Sequence, residues 1–478
     1  MSRAFSKTVL LLLALTGLPL SAQVEQASDL RYPPLAKLDV PTPRREVLPN
    51  GVVVLLLEDH ELPLVDLYAV VRGGARLDPA GKSGLAQLSG SLLRSGGTAS
   101  LAGDALDDWL DDHAASIEVA TSDGDTRLFA NGLVRDEADL VRLLADVLRR
   151  PAFDARRLEI ERNRAIADVA RQNENVLGVV GRETVHLAYG PDSAYGRTPT
   201  LASLGGVRRE DVVDWHRRNV QPDRLILALV GDFRSDEVLR HVRDAFGDWP
   251  RGGSPLPPPG AWREAPAPGI YYVRKDDLTQ SGVGLSQLGV RKDDPDFYAL
   301  EVLNELFGTG QSSRLFANVR SRKGLAYAVS GFVGSAWDHP GVTRLYLSTK
   351  VQTTGAAIDA LLEETKRLSA EPPTAQEVEL AKKSLLESFV FRVDSPRKVL
   401  LQQLDLESYG YPADWYSHYR AGIEAVTLAQ VRAATSHIRP QDLAILVVGP
   451  EQGRDKALES YGTVHVIDLE TPGTPKGK

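Results

Sequence analysis

His216-Arg217-Arg218-Asn219-Val220-Gln221-Pro222-Asp223-Arg224-Leu225-Ile226-Leu227-Ala228-Leu229-Val230-Gly231 holds a turn followed by a strand. Pro222 fixes φ, Asp223 can bond its own backbone, and an unbroken apolar run then ends on glycine. The pattern returns as His437-Ile438-Arg439-Pro440-Gln441-Asp442-Leu443-Ala444-Ile445-Leu446-Val447-Val448-Gly449. Tyr189-Gly190 is echoed by Tyr409-Gly410, and helical patterns begin after Pro151 and after Pro373. Matched features in one order, each pair separated by about 220 residues, argue for an internal duplication.

Each copy opens on strands, Val52–Leu57 and Leu64–Val71 in the first, Ile270–Val273 and Ser281–Leu288 in the second. Amphipathic helical stretches follow, and each copy closes on its buried apolar strand, Leu225–Val230 or Leu443–Val448. A period of two followed by a period of 3.6 predicts an α+β fold of two homologous halves. Each is a mostly antiparallel sheet with helices packed on one face. Residues 251–268 carry Arg251-Gly252-Gly253-Ser254-Pro255-Leu256-Pro257-Pro258-Pro259-Gly260 and continue Pro-rich to Pro268, which predicts a linker. The halves are therefore expected at 44–250 and 269–469, with a loose arm over 23–43 and a flexible tail over 470–478.

The chain has 478 residues, 42% of them hydrophobic, which is enough for more than one sizeable core. With 56 Lys and Arg against 64 Asp and Glu, the net charge is −8, and no basic block suggests nucleic-acid binding. Arg3 and Lys7 precede the apolar run Val9–Leu15, and Leu20-Ser21-Ala22 supplies small residues before a cut. Residues 1–22 read as a secretory signal, so a periplasmic or secreted protein without a transmembrane segment after cleavage is expected. There is no cysteine, hence neither disulfide nor thiolate metal site.

Gly73-Gly74-Ala75-Arg76-Leu77-Asp78-Pro79 and Lys82-Ser83-Gly84-Leu85-Ala86 resemble the segment leading into the zinc helix of the pitrilysin/insulysin (M16) peptidases. The family continues His-x-x-Glu-His, with a Gly-Thr pair later. This chain continues Gln87-Leu88-Ser89-Gly90-Ser91, with Gly97-Thr98 after it. Two histidines at i and i+4 share a helix face and hold Zn²⁺, while the glutamate between them is the general base. The resemblance puts Gln87 and Ser91 at the ligand positions, Gly90 at the base position and Asp168 at the distant third ligand. An amide, a hydroxyl and a glycine are poor replacements, so no zinc is expected except in a partner subunit. The nine histidines offer no pair spaced three to five residues apart.

The segment Arg314–Tyr327 resembles the family's arginine–tyrosine element, which holds substrate opposite the zinc, and Arg320 and Tyr327 match it. Both side chains donate hydrogen bonds suited to peptide carbonyls and to an oxyanion. The other reading has Arg320 paired on its helix and Tyr327 packed at a strand start. Gly308–Ser313 lacks the lysine of a phosphate loop, and Asp107, Asp108, Asp111 and Asp112 read as a solvated helix face. Gln172–Asn175 either line the old site or end a helix.

Some family members work as pairs, one chain bearing zinc and the other the arginine–tyrosine element. The resemblance thus implies a non-catalytic partner subunit acting on peptides with a zinc-bearing M16 chain. A peptide is expected to add to an edge strand near Leu64–Val70. A structural or peptide-binding scaffold is the second reading, and a metallopeptidase with atypical ligands the third.

Overall fold

Runs rich in valine, leucine and isoleucine and free of Pro favour extended backbone. In the computed structural model, which describes residues 40–469, they pair into a six-stranded sheet in each half. The signal segment, residues 23–39 of the arm and the tail 470–478 lie outside the described residues. Among the described residues no helix is long and apolar enough to cross a membrane.

In the first half β1 (Arg44–Val47), β2 (Val53–Glu58) and β3 (Leu64–Arg72) precede α1 (Leu85–Ser95) and α2 (Gly103–Asp112). The hairpin β4 (Ser116–Thr121) and β5 (Asp125–Leu133) follows, then α3 (Glu137–Arg149), α4 (Ala155–Arg171) and α5 (Val176–Tyr189). The half closes with α6 (Leu201–Gly205), α7 (Arg209–Asn219), β6 (Leu225–Gly231) and α8 (Ser235–Phe246). The second half holds β7 (Gly269–Arg274), β8 (Gln280–Leu288), β9 (Val290–Arg291), α9 (Phe297–Asn304), β10 (Val329–Phe332), β11 (Ser335–Ala336) and β12 (Val342–Lys350). It continues through α10 (Thr354–Ala370), α11 (Ala375–Ser388), α12 (Pro396–Tyr409), α13 (Trp415–Ala425) and α14 (Leu428–Ala434) to β13 (Ala444–Gly449) and β14 (Val464–Val466).

The strand orders are β4-β5-β3-β6-β2-β1 and β10-β12-β8-β13-β7-β14. The strands that correspond by sequence order occupy corresponding places, apart from the last edge, where β14 stands for β1. β2 and β6 pair in parallel, as do β7 and β13, while β3 and β8 run antiparallel to their neighbours. The duplication read from Gly231 and Gly449 is thus a duplication of architecture. Residues 251–268 form no helix or strand. They are nonetheless tied to the first half, since Arg76 donates to Pro258 O at 2.9 Å and Arg224 to Pro255 O at 3.2 Å.

The first half's own helices pack on one face of its sheet. Leu56, Val65, Leu67, Ala69 and Leu227 meet Leu88, Leu92, Leu144 and Val238 there, all nearly inaccessible to solvent. The opposite face presents Leu55, Leu57, Tyr68, Val70, Ile226, Ala228 and Val230, and α12 of the second half covers it with Leu400 and Leu404. The exchange is reciprocal. Helix α5 of the first half lies on the second sheet, where Val179 and Val180 meet Val273, Leu446 and Val448. Tyr189-Gly190 and Tyr409-Gly410, matched in sequence, are the ends of these two exchanged helices.

Glycine makes the second contact possible. A Cβ at Gly282 would stand 2.7 Å from Val176 Cγ1, and one at Gly284 would stand 2.8 Å from Val180 Cγ1. Both lie on the β8 face under α5, so the backbones approach as closely as they do because no side chain intervenes. Gly284→Val is expected to push α5 outward and destabilise the protein by about 1–3 kcal/mol, measured by equilibrium denaturation. An unchanged midpoint would show that α5 does not rest there.

β3 corrects the edge-strand expectation. Leu64–Arg72 is paired on both sides, to β5 and to β6, so no peptide can add to it. Its apolar side chains occupy both parities because both of its faces are covered, the mark of an interior strand. Among the described residues, the open edge of the first sheet beside α1 is β4, which pairs only with β5.

Candidate functional site

The flank around Asp78 works as a mount for α1. The chain turns through Ala75–Leu77, and the buried Asp78 carboxylate accepts N–H bonds from Gly84 at 3.0 Å and Ala86 at 2.9 Å. Those groups belong to the first turn of α1, where unpaired donors favour a carboxylate. Burial pushes the Asp78 pKa up to about 7, against the pull of these donors and of Arg197. Arg197 also binds the backbone oxygens of Asp78 at 2.6 Å and Arg76 at 3.0 Å, clamping the turn.

On α1, Gln87 and Ser91 stand one turn apart. The Gln87 Oε1 is buried without a hydrogen-bond partner, whereas Ser91 is exposed. Gly90 between them lies against β4, and a Cβ there would run into Thr121 Oγ1. That hydroxyl in turn bonds Thr126 Oγ1 at 3.1 Å, so the space next to the helix is taken by a threonine pair. Asp168 lies on α4, which packs against α1, but its carboxylate is exposed and accepts from Arg171 at 3.0 Å. Gln172–Asn175 join α4 to α5, with Asn175 capping α5 through Leu177 N at 2.9 Å.

In the second half, Arg320 lies in a π-helical stretch, Phe316–Arg322, of a kind often found at functional positions. Its guanidinium sits 4.6 Å from the Phe316 ring centre and 5.8 Å from that of Tyr327. Among the described residues no carboxylate pairs with Arg320, and its donors have no acceptor. Tyr327 is 87% exposed. The structure therefore places Arg320 and Tyr327 side by side, the first half-buried and the second exposed. Arg320 thus stacks on Phe316 of its own helical stretch, while Tyr327 is largely exposed. No hydrogen bond, ion pair or ring contact among the described residues links this pair to Gln87, Ser91 or Asp168.

The remaining candidates have ordinary places. Asp107 pairs with Arg94 at 2.5 Å, while Asp108, Asp111 and Asp112 are exposed on α2. Gly308 and Thr309 end a π-helical turn, with Thr309 Oγ1 donating to Glu305 at 3.1 Å. Among the described residues, Asp294, Asp296 and His437 bring three ligand-type side chains together, with His437 bonded to Asp296 at 2.9 Å. That group lies in the second half and ties His437 to the start of α9.

Two family models match the chain, the insulinase model of peptidase family M16 over residues 53–194 and the peptidase M16 inactive domain over residues 206–385. This chain belongs to the M16 peptidase family. Its M16 relatives include the non-peptidase homolog YmxG of Helicobacter pylori, 25% identical over 86% of this chain and 95% of that protein. An uncharacterized zinc protease of Mycobacterium tuberculosis is 27% identical over 85% of this chain and 93% of its own length. A crystal structure of a peptidase M16 inactive domain from Pseudomonas fluorescens superposes with a TM-score of 0.77 at 21% identity, covering 87% of this chain and 99% of that one.

The M16 zinc position can be tested against the donors present. They are one amide oxygen, one exposed hydroxyl and a carboxylate already engaged by arginine. Zinc sites draw on imidazole, thiolate and carboxylate ligands, and a general base adjoins the metal in this family's motif. The residues do not fit a zinc ion, and the Thr121–Thr126 pair closes the space beside the base position. The part missed in sequence is β4. Its run Ile117-Glu118-Val119-Ala120 offers a two-residue alternation too short to mark a strand without its partner.

Proposed function

We propose that the chain is an exported, non-catalytic M16 subunit that holds peptides for a zinc-bearing partner. The observation that carries this is the free Arg320 and Tyr327 pair. A half-buried guanidinium stacked on aromatic rings and an exposed phenol, neither with a hydrogen-bond acceptor, are poised donors for a peptide carbonyl or an oxyanion. The open β4 edge beside α1 supports it, because an extended peptide can pair there through main-chain bonds. The donor set at α1 supports a cofactor-free chain, with zinc in the partner alone. Among the relatives, the mitochondrial-processing peptidase subunit beta of Saccharomyces cerevisiae, 22% identical over 76% of this chain, is by its name part of an assembly. The signal-like residues 1–22 favour a periplasmic or secreted setting.

The test is to mix the purified chain with an M16 chain carrying His-x-x-Glu-His and follow cleavage of a peptide. The mixture should cleave faster than the partner by itself. A mixture no faster than that partner would overturn the proposal and favour the scaffold reading.

A further inference from the structure

A cleft of about 720 Å³ opens between the β4–β5 turn and α5 on one side and α9 and β12 on the other. Its wall carries Asp123, Glu301, Glu305, Arg344 and Arg392, and among the described residues none of these five forms an ion pair. Three of the five are accounted for. Glu301 accepts from Tyr419 at 3.1 Å, Glu305 accepts from Ser384 at 2.7 Å and Thr309 at 3.1 Å, and Arg392 stacks 5.0 Å over Tyr419.

Arg344 and Asp123 are left. Arg344 stands on β12 opposite Ser286 and Phe332, on the face where Tyr346 packs toward α5. Its side chain makes no hydrogen bond, ion pair or ring contact, and its Nε is buried without an acceptor. Burial lowers its pKa and burial raises that of Asp123, the latter partly offset by His339 and Arg197. Arginine nevertheless stays charged in proteins, whereas an acid moved in this direction binds its proton more readily. Arg344 is thus the cation of this wall whose side chain has neither acceptor nor ring partner, and a half-buried guanidinium with its Nε withdrawn from solvent gains from an acceptor that completes it.

We propose that Arg344 receives the terminal carboxylate of a short peptide lying in this cleft. The planar fork of a guanidinium matches a carboxylate in two parallel hydrogen bonds. Tyr189, Tyr195 and Phe332 add aromatic walls, and the volume is that of an ordinary small-ligand site. The inference rests on the peptide-binding part of the proposed function and is independent of the partner chain.

The experiment is equilibrium dialysis of the mature chain, without a partner, against a pool of random pentapeptides as free acids. The same pool is tested as C-terminal amides, with bound peptide quantified by mass spectrometry. Free acids should be retained at least tenfold over amides, Arg344→Gln should abolish the difference, and Arg344→Lys should restore part of it. Arg240→Gln, at an exposed arginine of α8 remote from the cleft lining, should discriminate as wild type does. Equal retention of both pools, including retention through internal Asp or Glu of the amides, overturns the assignment, as does retention of neither. Unchanged discrimination in Arg344→Gln, or its loss in Arg240→Gln, also overturns it. Should Arg344→Gln fail to fold, the acid-to-amide ratio of the wild type decides. Failure here leaves the partner-activation test intact, since that test reads Arg320 and Tyr327.

Discussion

Replacing Leu400 and Leu404 together by alanine is expected to remove most of the folding stability. Both side chains are at most 1% exposed and belong to α12, yet they pack on the first half's sheet against Leu55, Leu57, Val70 and Ile226. A buried leucine truncated to alanine costs about 2–5 kcal/mol, depending on how far the site collapses. Two such losses approach the roughly 5–15 kcal/mol that a native protein has in total. Leu380→Ala on α11, where the side chain is 56% exposed, should change stability by about 0.5 kcal/mol or less. Guanidinium unfolding followed by circular dichroism measures all three proteins. Because α5 and α12 are exchanged, each half covers a face the other cannot cover for itself, and the wild type should unfold in one transition. A double variant as stable as wild type, or separate transitions for the halves, would contradict the exchange.

Arg320→Ala should lower the rate gained on mixing with a zinc-bearing M16 partner by roughly 10²-fold, the scale seen when one preorganised oxyanion donor is removed. Tyr327→Phe, which deletes one hydroxyl from the same place, should cost less, roughly 10-fold. Arg320→Lys keeps the charge but not the fork, so it should recover only part of the loss. The loss should fall on kcat more than on KM if the donors act on the transition state. None of the three substitutions should shift the melting temperature much, because the Arg320 side chain forms no hydrogen bond or ion pair and Tyr327 is 87% exposed. A variant that melts early and loses activity in proportion would mark a structural role.

The fold was legible where pattern and burial coincide. β6 is buried along its whole length, and its counterpart β13 likewise, so an unbroken apolar run met an interior strand. The duplication was legible for the same reason. The exchange of helices was not, because the spacing of Val179 and Val180, or of Leu400 and Leu404, shows that a face is apolar but not which sheet it covers. The misplaced edge at Leu64–Val70 has a similar origin. A strand covered on both faces differs from an edge strand only by pairing, which local sequence does not record.

The site was legible through residue types in a known order, since the absence of imidazole at Gln87 and Ser91 is a fact of sequence. What Asp78 does for α1, and what Thr121 does beside Gly90, required the coordinates. Arg344 could not be singled out beforehand. An arginine in a strand reads as solvent-facing, and only the packing of α5 across β12 turns it into a partly buried charge without a partner.

The most direct measurement is to equilibrate the purified mature chain with zinc, remove the excess, and determine bound metal and peptide cleavage with no other chain present. The predicted result is far less than one zinc per chain and no cleavage sensitive to a chelator. One tightly held zinc per chain, with chelator-sensitive hydrolysis that Gln87→Ala abolishes, would contradict it.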